Sequence, residues 1–306
     1  MQDYDIVIAG GGPGGLTAGL YASRAELKAV CIEKLMPGGQ IANTEWVEDY
    51  PGFELIGGAE LARRIEDHAK KFGLEVASDN ITEIYSEGRF KIAKGDYEEY
   101  RAKAIIVATG GQPRKLGVPG ELELAGKGVS YCAICDGAFF KGLPIAVVGG
   151  GDSAVEEGTF LTKFGSKIYI IHRRGELRAS KIVQERAFKN EKMEFIWNSV
   201  VERINGDGKV QSITVKNVKT NEKRDIPVGA VFPFIGFVPN SNIFRDAIRK
   251  DNMGYIITDE NMATSIQGVW AIGDVRKQLV KQLTNAVGDG TTAAVAAGKY
   301  IESWND

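Results

Sequence analysis

The sequence predicts an α/β protein made of two layered units of one design, the second inserted into the first. Three observations carry this reading. Short apolar runs at 6–9 and 144–148 each end in a glycine cluster and lead into a helical pattern. Each is followed later by a stretch of alternating polarity, 81–103 and 200–228, broken by turn residues, and then by an apolar run that stops at glycine. The tail after Gly236 begins no third copy and is too short for a domain of its own, so it is expected to return to the first unit.

Taken in order, Ile6-Val7-Ile8-Ala9 is uniformly apolar, as a strand covered on both faces is. The glycine turn at 10–15, a helix over 16–25 and a strand over 29–32 complete a βαβ unit. Residues 58–72 have helical amphipathicity, with Leu61, Ile65, Ala69 and Phe72 on one face. The 81–103 stretch turns near Gly88 and Gly95-Asp96, which predicts a three-stranded antiparallel meander running into a further strand at 104–108. The second copy has strands at 144–148 and 167–171 and a meander turning at Asn205-Gly206-Asp207-Gly208 and Thr220-Asn221. Its last apolar run, 231–235, stops at Gly236. In the tail, 255–257 and 269–274 read as strands and an Ala-rich helix runs to about Ser303. The expected bounds are 1–114 with 245–306 for the outer domain and 118–242 for the inserted one. Hinge strands are expected at 115–117 and 243–244.

Composition narrows the function. A chain of 306 residues with net charge −2 offers no electrostatic case for nucleic acid or a membrane surface. No apolar run is long enough for a membrane span. The acidic start Met1-Gln2-Asp3-Tyr4-Asp5 enters a strand-like run at once, unlike a signal peptide. The expected setting is a reducing cytoplasm, where 3 cysteines make a poor disulfide framework and a close pair points to catalysis or metal.

Gly10-x-Gly12-x-x-Gly15 lies between a strand and a helix, where glycines let a pyrophosphate reach backbone N–H groups at the helix start. Glu33, at the end of the next strand, supplies the acceptor for ribose hydroxyls. Gly149-x-Gly151-x-x-Ala154 repeats the motif, so both units read as Rossmann-like, three-layer dinucleotide-binding domains. The residue that stands to Gly149 as Glu33 stands to Gly10 is His172, followed by Arg173, Arg174 and Arg178. An acid there would repel a 2′-phosphate, whereas arginines bind one, so the second site is expected to take NADPH and the first FAD. Gly273-Asp274 after a strand adds a second acidic group for the flavin nucleotide.

Cys132-Ala133-Ile134-Cys135 admits three readings. Zinc needs about four ligands, and beyond the pair the chain has only Cys31 in a strand, His68 on a helix and His172, so no metal is expected. A structural disulfide is disfavoured in a reducing compartment. A redox dithiol suits the spacing, with Asp136 either a turn residue or the acid and base for a departing thiolate.

These residues, with Gly38-Gly39-Gln40, Tyr50-Pro51-Gly52-Phe53, Ala108-Thr109-Gly110, Arg114 to Gly120 and Gly288-Asp289-Gly290, resemble the low-molecular-weight, bacterial-type thioredoxin reductases. These belong to the class-II pyridine nucleotide-disulfide oxidoreductases. The matches span nearly the whole chain, in family order. The resemblance implies a homodimer and an inserted NADPH domain that rotates on its hinges. It implies a hydride from NADPH to FAD, then electrons to the Cys132–Cys135 disulfide and on to thioredoxin, with Cys135 facing the flavin. It places FAD on Gly10, Gly12, Pro13, Gly14, Gly15, Glu33, Lys34, Gly38, Gly39, Gln40, Asn43, Thr109, Gly110, Gly273, Asp274, Lys281, Gln282 and Leu283. It places NADPH on Gly151, Asp152, Ser153, His172, Arg173, Arg174, Arg178, Ile235 and Gly236. Two departures stand out: Asp49 where the family usually has Asn, and Lys281 before Gln282 where it commonly has Arg. A peroxiredoxin- or glutaredoxin-like partner, a flavin-dependent thiol oxidase and a redox-sensing nucleotide-binding protein without turnover are the alternatives. The arginine cluster argues against the oxidase.

Overall fold

A computed structural model describes residues 2–44 and 46–305. The chain divides into two compact units, residues 1–112 with 238–306 and residues 113–237. The crossings fall at 112/113 and 237/238, ahead of the expected hinges at 115–117 and 243–244. Each lies in a short strand, Gly111–Pro113 and Phe237–Pro239, and these two strands pair.

The first unit is built on a seven-stranded sheet. Gln2–Ala9 lies at its centre, parallel to Ala29–Glu33 on one side and to Glu99–Val107 on the other. Its uniform apolarity has the expected cause: Ile6 and Ile8 enter the core on one face, Tyr4, Val7 and Ala9 the core on the other. The separate strand expected at 104–108 is instead the end of one strand, Glu99–Val107. Residues 99–102 pair antiparallel with 91–94, while the same strand runs parallel to Gln2–Ala9, so no turn is needed between the two roles. The tail adds Val269–Ala271 alongside 105–107.

Two helices cover one face closely. Pro13–Arg24 packs against Leu283–Glu302. Glycines permit the approach: a Cβ on Gly290 would come within 2.3 Å of the Gly14 carbonyl oxygen. No strand forms at 255–257, where Ile256 makes only isolated bridges to Lys250 and Arg276. Gly254, at φ 88°, turns the chain just before it. The amphipathic helix, Gly58–Lys71, buries Leu61 and Ala69, but Phe72 lies past its end and stays exposed, with the Arg24 guanidinium 5.5 Å from its ring centroid.

The second unit has a four-stranded parallel sheet in the order Met193–Ile196, Lys167–Ile171, Pro144–Val148, Ala230–Pro233. An antiparallel meander, Ser199–Gly206, Val210–Asn217 and Lys223–Pro227, packs on one face. The helix Asp152–Leu161 packs on the other, with Lys181–Phe188 beside it.

Candidate active site

In the first unit the glycine turn is closed by backbone contact. Gly10 donates to the Ile32 carbonyl at 2.8 Å, and a Cβ on Gly15 would stand 1.9 Å from the Gly10 carbonyl oxygen. Gly12 differs: a Cβ there would meet nothing within 4 Å, so this face of the turn is open to a ligand. Glu33 is fixed beside it, its carboxylate accepting the N–H of Gly11 at 2.7 Å and of Leu35 at 3.0 Å. Each oxygen keeps a lone pair for a hydroxyl donor. The Gly38-Gly39 turn approaches from the side, with Gly38 donating to the Gly11 carbonyl at 2.8 Å and leading into Gly39–Asn43. Lys34 and Gln40 are exposed there, and Gln40 donates to the Gly111 carbonyl at 3.3 Å.

Two more segments frame this turn. Asn240 holds Thr109-Gly110: its side chain donates to the Thr109 carbonyl at 2.9 Å, its N–H to the Gly110 carbonyl at 3.0 Å, and its own carbonyl accepts the Thr109 hydroxyl at 2.8 Å. The Gly273-Asp274 turn is held by Asp289, which accepts the Gly273 N–H at 3.0 Å and pairs with Arg276 through both oxygens at 2.7 and 2.9 Å. Both side chains of that pair are largely buried. Burial pushes the Asp274 carboxyl above its usual range, against the pull of Lys281. The Lys281 ammonium, itself pushed down by burial, donates to the Asp274 carbonyl at 2.9 Å and lies 3.9 Å from the Tyr255 ring centroid. Gln282 caps the Leu283–Glu302 helix, whose first residue Leu283 packs against the Val47–Leu61 cluster. Sequence reasoning assigned no role to Asn240, Arg276 or Asp289. Only Asp289 left a signal, in Gly288-Asp289-Gly290.

In the second unit, Gly149 donates to the Ile171 carbonyl at 3.0 Å, and Gly151, like Gly12, has open space where a Cβ would go. His172 is not at the surface with the arginines: it is 4% exposed, and a Cβ on Gly150 would lie 2.4 Å from its ring. Burial holds its imidazole below the usual value, helped by Arg178 and Arg174. Arg173, Arg174 and Arg178 are exposed, as is Ser153 at the start of the Asp152–Leu161 helix. Among the described residues none of the three arginines has a carboxylate partner. Arg178 and Ala179 donate to the Gly150 carbonyl at 2.6 and 3.2 Å, and Asp152 accepts the Ser180 N–H at 2.7 Å, so the basic loop is tied to the turn. Gly236, at φ 107°, follows the half-buried Ile235 and accepts the Arg114 N–H at 2.8 Å.

The same unit carries the cysteines. Cys132 and Cys135 form a disulfide across the short helix Ala133–Asp136. Cys135 is exposed, Cys132 and Asp136 half-buried. Ala133 anchors the segment in the core, and a Cβ on Gly137 would lie 2.9 Å from Leu161, so the redox pair is fixed to the Asp152–Leu161 helix. Cys31 is a different kind of thiol, fully buried and pushed far up by desolvation, hence inert.

The open glycines, the acceptor beside one turn and the unpaired arginines beside the other fit a dinucleotide at each. Residues 4–290 match the model of the pyridine nucleotide-disulphide oxidoreductases. The chain belongs to that family. Within it, the chain is 49% identical over 300 residues to a thioredoxin reductase of Bacillus subtilis, covering 98% of this chain and 95% of that one. Its fold is similar to a crystal structure of Lactococcus lactis thioredoxin reductase, with TM-score 0.96, 47% identity and coverage of 98% and 99%. It is also similar to that of T. acidophilum thioredoxin reductase, with TM-score 0.93, 33% identity and 99% coverage of both chains. No helix among the described residues is long and apolar enough to cross a membrane.

Proposed function

We propose that this family member is an NADPH-dependent, FAD-containing thioredoxin reductase. The observation that carries the reading is the Cys132–Cys135 disulfide, held in the same unit as three arginines without carboxylate partners. The near-full-length likeness to thioredoxin reductases supports it.

When bound, the flavin and nicotinamide supply hydride and electron-pair transfer. The chain's own residues do the rest. Gly10, Gly12, Pro13, Gly14 and Gly15 present the helix start to the flavin nucleotide, Glu33 accepts from its ribose, and Asp274 takes a further hydroxyl. Lys34, Gly38, Gly39, Gln40, Asn43, Thr109, Gly110, Lys281, Gln282 and Leu283 complete that pocket. Gly151, Asp152, Ser153, Ile235 and Gly236 line the second turn, and Arg173, Arg174 and Arg178 select the 2′-phosphate. His172 supports that turn from below. Asp136 holds the proton that a departing thiolate takes up. The chain works as a homodimer in the cytoplasm, with thioredoxin as its disulfide substrate.

The test uses purified protein. It is expected to be yellow, to bleach on addition of NADPH without air, and to reduce thioredoxin with NADPH. A colourless protein, or one that bleaches but leaves thioredoxin oxidised, would overturn the reading.

A further inference from the structure

The redox pair rests on a frame that the reaction does not use. Glu121 is 1% exposed, and among the described residues it has no cationic partner. A buried carboxylate is costly unless donors replace water. Here three do: the N–H of Leu116 at 2.8 Å, the N–H of Gly117 at 2.7 Å and the hydroxyl of Tyr131 at 2.7 Å. Two of these lie just after the chain enters the second unit at Pro113, and the third is on the residue before Cys132. Ser130 continues the frame. Its hydroxyl accepts the Cys132 N–H at 3.1 Å and donates to the Cys132 carbonyl at 3.3 Å, while its own N–H donates to Val231 at 3.0 Å. Cys135 lies in the helical turn whose Ala133 is sunk in the core, and Cys132 caps that turn, its sulfur accepting the Cys135 N–H at 3.2 Å and its carbonyl the Asp136 N–H at 3.2 Å.

We propose that Glu121 and Tyr131 are positioning residues that hold Cys132 within reach of Cys135 and so set the reduction potential of the pair. The proposal rests on the redox reading of the disulfide. Ring closure between two thiols depends on their effective concentration, which falls when either backbone is free to drift. Removing the Glu121 anchor frees the chain that enters Cys132 at Tyr131, while Ala133 stays sunk in the core and keeps the Cys135 end of the turn in place. The dithiol then closes less readily, and the disulfide becomes easier to reduce.

The flavin-loaded protein is equilibrated with glutathione buffers, without NADPH or air. Two glutathione thiols give up two electrons and two protons and join as a disulfide; the Cys132–Cys135 bond breaks and two thiols form. Alkylation and mass measurement count the free thiols, with buried Cys31 constant. Tyr131→Phe keeps the ring in its apolar cluster and removes only the hydroxyl. It is expected to shift the dithiol-to-disulfide ratio about fivefold toward dithiol, about 20 mV for a two-electron couple. Reduction of ferricyanide by NADPH, which needs no disulfide, is expected to stay at the wild-type rate. Glu121→Gln is expected to move the ratio the same way and further. A ratio unchanged in both variants would overturn the proposal, and so would a ferricyanide rate that falls in step with thioredoxin turnover. Wild-type protein that cannot reduce thioredoxin would refute the proposed function, but the glutathione ratio would still decide this question.

Discussion

Glu33 and His172 stand at the same place in the two units, each following the strand residue whose carbonyl accepts from the first glycine of the turn, Ile32 from Gly10 and Ile171 from Gly149. Glu33 reaches up to the Gly11 N–H at 2.7 Å, while the His172 ring lies buried beneath Gly150. One unit thus presents a carboxylate acceptor beside its glycine turn. The other buries a ring held below the usual imidazole value and leaves the exposed surface there to the arginines that follow.

Arg173→Ala with Arg174→Ala is therefore expected to raise the KM for NADPH at least about ten- to a hundredfold, the loss that a single charge-assisted bond worth about 1.5–3 kcal/mol accounts for. The KM for NADH is expected to change less than about threefold, since it has no group for those arginines to bind. Steady-state kinetics with both nucleotides decides it, and equal effects on the two would refute the assignment.

Gly12 and Gly151 separate binding from folding. A methyl at either position meets no atom within 4 Å. Gly12→Ala is expected to fold normally yet lose flavin on gel filtration, and Gly151→Ala to keep flavin yet bind NADPH poorly. Gly15→Ala is the contrast, because its methyl would stand 1.9 Å from a carbonyl oxygen and the fold itself would suffer. Thermal melts of the flavin-free proteins tell the two kinds apart.

What could be read from the sequence follows from how local each signal is. The strand at 6–9, the glycine turns and the two meanders showed because periodicity and turn residues act over a few neighbours. Glu75–Ser78 and Met193–Ile196 did not, since both are four-residue strands that pair along only one edge in their sheets, the first with no buried position and the second burying only its two end residues, which breaks the alternation. Asn240 escaped for another reason: its hold on Thr109-Gly110 joins residues 131 apart in sequence, and a lone Asn carries no mark of that. The exposed basic cluster was legible from its charge, but His172 within it was not legible as packing, because burial is decided by Gly150 across the turn.

Cys135→Ser is expected to leave anaerobic bleaching of the flavin by NADPH intact and to abolish thioredoxin reduction. The glycine turns that would hold the nucleotides do not involve the sulfurs, whereas the last transfer needs both of them. Stopped-flow absorbance and a thioredoxin assay test the two halves, and retained thioredoxin reduction would sink the mechanism.

Asp289→Asn is expected to lower stability by about 3–5 kcal/mol, the usual cost of leaving a buried charge without its partner. Arg276 would be the orphan, with 15% of its side chain exposed. The Gly273 N–H loses its charged acceptor too, so flavin retention is expected to fall in the same variant. Denaturant melts and the flavin-to-protein absorbance ratio check both effects, and a stable variant with full flavin would show the pair to be dispensable.

Asp274 gives a prediction of opposite sign for stability. Burial raises its folded pKa above the unfolded value of about 3.9, and Lys281 only partly offsets this. A carboxyl raised in this way contributes its full stability below the unfolded pKa and loses it as pH rises through the folded one. At pH 7, well above the unfolded value, the flavin-free protein therefore bears a cost at Asp274, as groups kept for binding often do. Asp274→Asn removes that cost while keeping the shape. The flavin-free variant is expected to melt higher than wild type at pH 7, with the gap closing as pH falls toward about 4. Its affinity for flavin is expected to drop, since an amide oxygen is a weaker acceptor than a carboxylate. Paired melts across pH and a flavin titration measure the two effects, and a variant that melts lower at pH 7 without flavin would show that Asp274 supports the fold and not the ligand.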